Sequence, residues 1–139
     1  SPDGGTLYYA DSLQKIIYAY DLAVDTGTLS NKRVFAETGA PPGIPDGATV
    51  DSEGFLWSAR FDGSRVLRHA PDGSVVAEIA LPVSRVTSCA LGGTDLKTLY
   101  ITSAFFRLSE EQRAKQPLAG ALFAVEVEVP GVVEPRYRG

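Results

Sequence analysis

The sequence has a single cysteine, a single histidine, a single tryptophan and no methionine in 139 residues. With Cys89 alone, no disulfide can form within the chain and no zinc site can be built from cysteines. The 13 Lys and Arg are scattered, never gathered into a basic run, and are outnumbered by 17 Asp and Glu. The resulting net charge of −4 argues against a nucleic-acid partner. No apolar stretch approaches the roughly 18 residues that cross a bilayer, and no positively charged, then apolar, signal segment opens the chain, so no membrane association is expected. A lone thiol fits a reducing compartment, and the expected location is cytoplasmic.

What is present is a 44% hydrophobic content, enough for the core of one domain. It comes in short runs rich in Val, Ile, Tyr, Phe and Leu between turn signals, an all-β pattern. Strands are expected at residues 7–10, 16–20, 32–36, 48–51, 56–59, 65–69, 75–81, 87–90, 98–102 and 121–127. Only residues 109–116 read as helix, with Ser109 as N-cap and Pro117 as the stop, in a solvated loop between the last strands.

Leu7-Tyr8-Tyr9-Ala10, Leu56-Trp57-Ser58-Ala59 and Leu99-Tyr100-Ile101-Thr102 stack as a repeat, with starts 49 and 43 residues apart. Each follows a turn and precedes a second apolar strand. A period of 40–50 residues with several short strands per unit is that of β-propeller blades. The chain holds just under three blades, which alone should leave large apolar faces open, because each blade buries its faces only against its neighbours. Trp57 and the tyrosines fall on the repeated strand positions and are expected between blades. Ser1 to Gly5 reads as a turn with no strand before it, as if the chain began in mid-domain, and residues 131–139 read as a natural terminus.

Asp46, between Pro45 and Gly47 just before a strand, has on motif form alone the character of a turn residue. Asp3, Asp72 and Asp95 are turn carboxylates too, at the far side of the blades. His69 ends a strand with no serine or cysteine partner in a recognisable arrangement, so it reads as structural. Cys89 reads as a small buried hydrophobe. Thr87 and Ser88 begin an inner strand and either line the channel or are an ordinary polar strand start.

Several spaced motifs then occur in order: Thr26-Gly27-Thr28-Leu29-Ser30-Asn31-Lys32-Arg33, Pro45-Asp46-Gly47 through Asp51-Ser52-Glu53-Gly54-Phe55-Leu56-Trp57, Arg65-Val66 to Pro71-Asp72-Gly73, Leu81-Pro82-Val83 with Thr87-Ser88-Cys89, and Gln116-Pro117-Leu118-Ala119-Gly120-Ala121-Leu122-Phe123. Together they resemble the SMP-30/gluconolactonase (regucalcin-like) family over nearly the whole chain. The resemblance implies a six-bladed β-propeller of which residues 1–139 form the C-terminal half. It also implies one divalent metal ion (Ca, Zn, Mn or Mg) at the channel mouth, held by a Glu, two Asn and an Asp.

Only the Asp has a counterpart here, Asp46, which the family pattern makes both ligand and general base. The remaining ligands would lie in the N-terminal half, a necessary partner. The implied activity is opening of a small-molecule sugar lactone, the metal polarising the ring carbonyl while the carboxylate takes a proton from attacking water. The isolated chain is expected to be inactive. The alternatives are a non-enzymatic calcium-binding or regulatory propeller and a related esterase acting on organophosphates.

Overall fold

The structure is a computed structural model that describes residues 1–39 and 42–134. Strands β1 (Thr6–Asp11), β2 (Ile16–Ala23) and β3 (Thr28–Glu37) form one sheet. A second contains β4 (Ile44–Val50), β5 (Leu56–Phe61), β6 (Arg65–His69) and β7 (Val75–Ala80) in that order, and a third β8 (Val86–Gly92), β9 (Thr98–Ser103) and β10 (Leu122–Glu126). All pairings are antiparallel between sequence neighbours. The sequence repeat superimposes β1, β5 and β9. The second sheet is therefore a complete four-stranded blade, the first carries counterparts of its second to fourth strands, and the third those of its first to third.

The helix α1 (Glu110–Lys115) forms where expected. The Ser109 side chain accepts from the Gln112 N–H while Gln112 reaches back to the Ser109 N–H, a reciprocal cap that satisfies donors the first turn leaves free. None of its residues is buried, as expected of a solvated insertion. Its end is nevertheless tied to the connection that leads into β8, because the Ser84 N–H donates to Gln116 Oε1 at 2.6 Å.

The core lies between the sheets. Leu56 packs with Ile17 and Ala36 of the first sheet, while Trp57, the next residue, faces the third sheet with Cys89, Leu99 and Ile101. Strand alternation thus gives the central blade two buried faces. The expectation for the tyrosines holds only in part. Tyr8 lies in the first seam, edge-on to Phe35 with ring centroids 4.8 Å apart. Tyr9 and Tyr100 are instead 54% and 39% exposed. Tyr100 occupies the strand position of Trp57, but on the outer face of the third sheet, beside the exposed Leu122. Among the described residues nothing covers Tyr9 and Val34 on the first sheet or Tyr100 and Leu122 on the third.

His69 is buried against Phe35 and its Nδ1–H donates to the Gly73 carbonyl at 3.0 Å, which makes it the structural residue the sequence suggests. Burial lowers its pKa below the ordinary 6.5. Between 6.5 and the lower folded value only the unfolded chain binds the proton, so stability falls as pH drops through that window. A His69→Gln variant should lose this component. Urea unfolding of both forms at pH 7.5 and pH 5 checks it, and an identical pH dependence would contradict it.

Candidate functional site

Pro45 pairs with Arg60 and Ala48 with Ser58, so Asp46 and Gly47 together oppose only Ala59. This is a β-bulge, which bends a strand and re-aims its side chains. Asp46 therefore lies inside β4 and not before it; the strand begins earlier than the sequence suggests. Asp51 falls just beyond the strand, bridged to Gly131.

The bulge lies where the second and third sheets meet. A Cβ on Gly47 would stand 2.8 Å from Ser88 Cα and 2.6 Å from its Cβ, closer than side chains tolerate. Gly47 is what lets β8 run against β4. The structure thus brings the Asp46–Gly47 and Thr87–Ser88 pairs together at one end of two neighbouring blades. Thr87 and Ser88 are half-buried; the Thr87 hydroxyl lies 2.8 Å from that of Thr102, which also donates to the Ser88 carbonyl at 3.4 Å. A Gly47→Ala variant should separate the strands and lose about 1–3 kcal/mol of stability, as overpacked sites do, measurable by urea unfolding. A loss below about 0.5 kcal/mol would show that the seam yields freely.

The entry to β4 is fixed by Arg60, whose Nη2 donates to the Thr38 and Gly43 carbonyls at 2.8 Å each. Its guanidinium is buried, which lowers its pKa to about 10. The hydroxyl of Ser12, in the turn after β1, donates to the Pro45 carbonyl at 2.7 Å. Neither Arg60 nor Ser12 stood out in the sequence, because their acceptors are backbone atoms 17 to 33 residues away.

Asp46 is half-buried, and burial raises its carboxyl pKa above the usual value, offset in part by a hydrogen bond from the Gly47 N–H. Among the described residues no ion pair engages it, whereas Asp21, Asp51 and Asp62 are each paired with an arginine. Asp3, Asp72 and Asp95 are turn residues: their Oδ1 atoms accept from the N–H of Gly5, Ser74 and Lys97, at 3.0, 2.9 and 3.1 Å. A partly desolvated carboxylate with no cationic partner suits a divalent cation, whose hard character favours oxygen ligands. Asp46 therefore fits as one ligand of such an ion. Among the described residues no three His, Cys, Asp or Glu side chains converge on a metal position.

The other reactive groups lie apart from this site. Cys89 is buried with its thiol donating to the Trp57 carbonyl at 3.5 Å, and burial pushes its pKa up to about 12, which keeps it an inert core residue. A hollow of about 470 Å³ opens at the opposite end of β4, lined by Ser1, Pro2, Val50 and Val132 among others, and does not reach Asp46. Among the described residues no helix is long and apolar enough to cross a membrane.

Comparison with known proteins follows the same lines. The profile of the SMP-30/Gluconolactonase/LRE-like region matches residues 1–105. Over the whole chain the sequence is 48% identical to a 6-deoxy-6-sulfogluconolactonase of Pseudomonas putida, covering 48% of that protein. It is 44% identical to a regucalcin of Danio rerio, again over the whole chain and 48% of the relative. The crystal structure of a calcium-binding protein, regucalcin, from Agrobacterium tumefaciens superimposes with a TM-score of 0.93 at 33% identity, over 99% of this chain and 47% of that one. The chain spans about half the length of the relatives it matches.

Proposed function

The chain belongs to the SMP-30/Gluconolactonase/LRE-like family, and from that premise we propose that it forms the C-terminal half of a propeller that opens sugar lactones with the help of one divalent metal ion. The observation that carries the reading is Asp46: a half-buried carboxylate without an ion pair among the described residues, seated in a bulge where two blades meet. The relative of Pseudomonas putida, named as a lactonase of a substituted gluconolactone, supports the substrate class.

When bound, the cation would polarise the lactone carbonyl and stabilise charge on its oxygen. One oxygen of Asp46 would hold the ion, and the other would accept the proton of the attacking water. The new C–O bond would form at the carbonyl carbon and the ring C–O bond would break, leaving a hydroxy acid. Thr87 and Ser88, beside the bulge, are in this reading the hydroxyls that would hydrogen-bond to the sugar.

The test is hydrolysis of gluconolactone by the full-length protein and by the 139-residue chain alone. Turnover by the first and none by the second is expected, because the chain supplies one carboxylate to the shell. Turnover by the isolated chain would overturn this assignment of the ligands. The calcium-binding regucalcin that shares the fold supports a second reading, a propeller that binds calcium without catalysis. Tight calcium binding with no hydrolysis of any aldonolactone would favour it.

A further inference from the structure

The Asp46 bulge is held from both neighbouring blades, and the two contacts differ in kind. Ser88 fills the space over Gly47, a packing constraint. Ser12 makes a directed one: its hydroxyl donates to the Pro45 carbonyl at 2.7 Å, across 33 residues of sequence and the seam between the first two sheets. Pro45 is buried and has no N–H, so its carbonyl is the only backbone polar group through which it can be tethered. That carbonyl belongs to the peptide plane that precedes Asp46, and its orientation sets where the carboxylate leaves the strand.

The turn that contains Ser12 does not need the hydroxyl. The Lys15 N–H closes on the Ser12 carbonyl at 3.3 Å, and the Gln14 N–H donates to Asp11 Oδ1 at 3.0 Å. The Ser12 side chain is therefore spent entirely on the neighbouring blade. At the same end of the seam Arg60 holds the Thr38 and Gly43 carbonyls, leaving the Pro45–Asp46 peptide as the segment that Ser12 alone orients by a side-chain hydrogen bond among those described.

We propose that Ser12 is a positioning residue for Asp46, aiming its carboxylate from the adjacent blade through the Pro45 carbonyl. The proposal rests on the reading of Asp46 as a metal ligand. A hydroxyl at this position couples the relative placement of two blades to the geometry of the ion site.

The experiment uses the full-length protein and calorimetric titration with calcium, beside steady-state lactone hydrolysis and thermal melting of the metal-free form. Ser12→Ala should weaken calcium binding about 5- to 10-fold, the loss of one hydrogen bond, and lower kcat with little change in KM. Ser12→Thr, which keeps the hydroxyl, should restore both. Unchanged calcium affinity in Ser12→Ala, with or without a lower melting temperature, would overturn the proposal by reducing Ser12 to a structural contact. Asp46→Ala in the same titration separates the two ideas: if it too leaves calcium affinity unchanged, the ligand reading itself fails, whereas a large loss there beside an unaffected Ser12→Ala overturns the positioning role alone.

Discussion

Replacing Asp46 by Asn in the full-length protein should reduce kcat/KM for lactone hydrolysis by about 10²–10⁴-fold, the range for removal of a positioned acid–base group, and should at the same time raise the melting temperature of the metal-free protein. The two effects have one cause. Burial raises the pKa of Asp46, which means the folded state disfavours its charge. A carboxylate whose folded pKa lies above its unfolded one contributes stability at low pH that is lost as pH rises through the folded value. At neutral pH and without metal it is therefore a burden on the fold, and a neutral amide of the same shape removes that burden. On the proposed ligand role, a bound cation would reverse the balance by supplying the missing partner. Melting both forms with and without calcium checks the argument: Asn should stabilise the metal-free protein and abolish the stabilisation by metal. An Asn variant that melts below the parent without metal would show that the carboxylate is held by the fold itself.

The largest loss of stability should come from Asp51, which lies outside the site. It is fully buried and gathers five donors: Trp57 Nε1 at 3.0 Å, the Arg68 guanidinium through Nε at 2.9 Å and Nη2 at 2.7 Å, and the N–H groups of Glu53 and Phe55 at 3.1 and 3.0 Å. Arg68 in turn stacks on Phe55, 3.9 Å from the ring centroid, and reaches Glu53 at 3.1 Å. Asp51→Ala strands the indole N–H and a guanidinium that is 15% exposed. Breaking a buried pair from one side costs about 3–5 kcal/mol. Urea unfolding should show a loss of that size, with Asp51→Asn intermediate because it keeps the acceptor and not the charge. A loss under about 1 kcal/mol would mean that water replaces the carboxylate.

The contrast between the two aspartates explains what was legible in the sequence. Strand positions and the blade repeat could be read because each strand is an apolar run between turn residues, and α1 because Ser109 and Gln112 are a local pair. The start of β4 could not: Pro45, Asp46 and Gly47 all disfavour strands, and only a bulge with a neighbouring blade against Gly47 keeps them in the ladder. Asp51 reads in the sequence as the end of an expected strand, not as the anchor of Arg68, 17 residues on. The tyrosines alternate as strand residues should, but whether Tyr8 or Tyr100 is covered depends on which blade lies beyond. The family motifs marked Asp46 within a row of similar Asp turns; burial without an ion pair is the property that sets it apart, and no linear pattern encodes it.

The central claim is tested most directly by gluconolactone hydrolysis with the full-length protein, assayed as purified, after exhaustive chelation, and after separate addition of calcium, zinc, manganese and magnesium. The account predicts that chelation abolishes turnover and that at least one of these ions restores it in the parent but not in Asp46→Asn. Turnover that survives chelation, or that returns in Asp46→Asn as fully as in the parent, would contradict it.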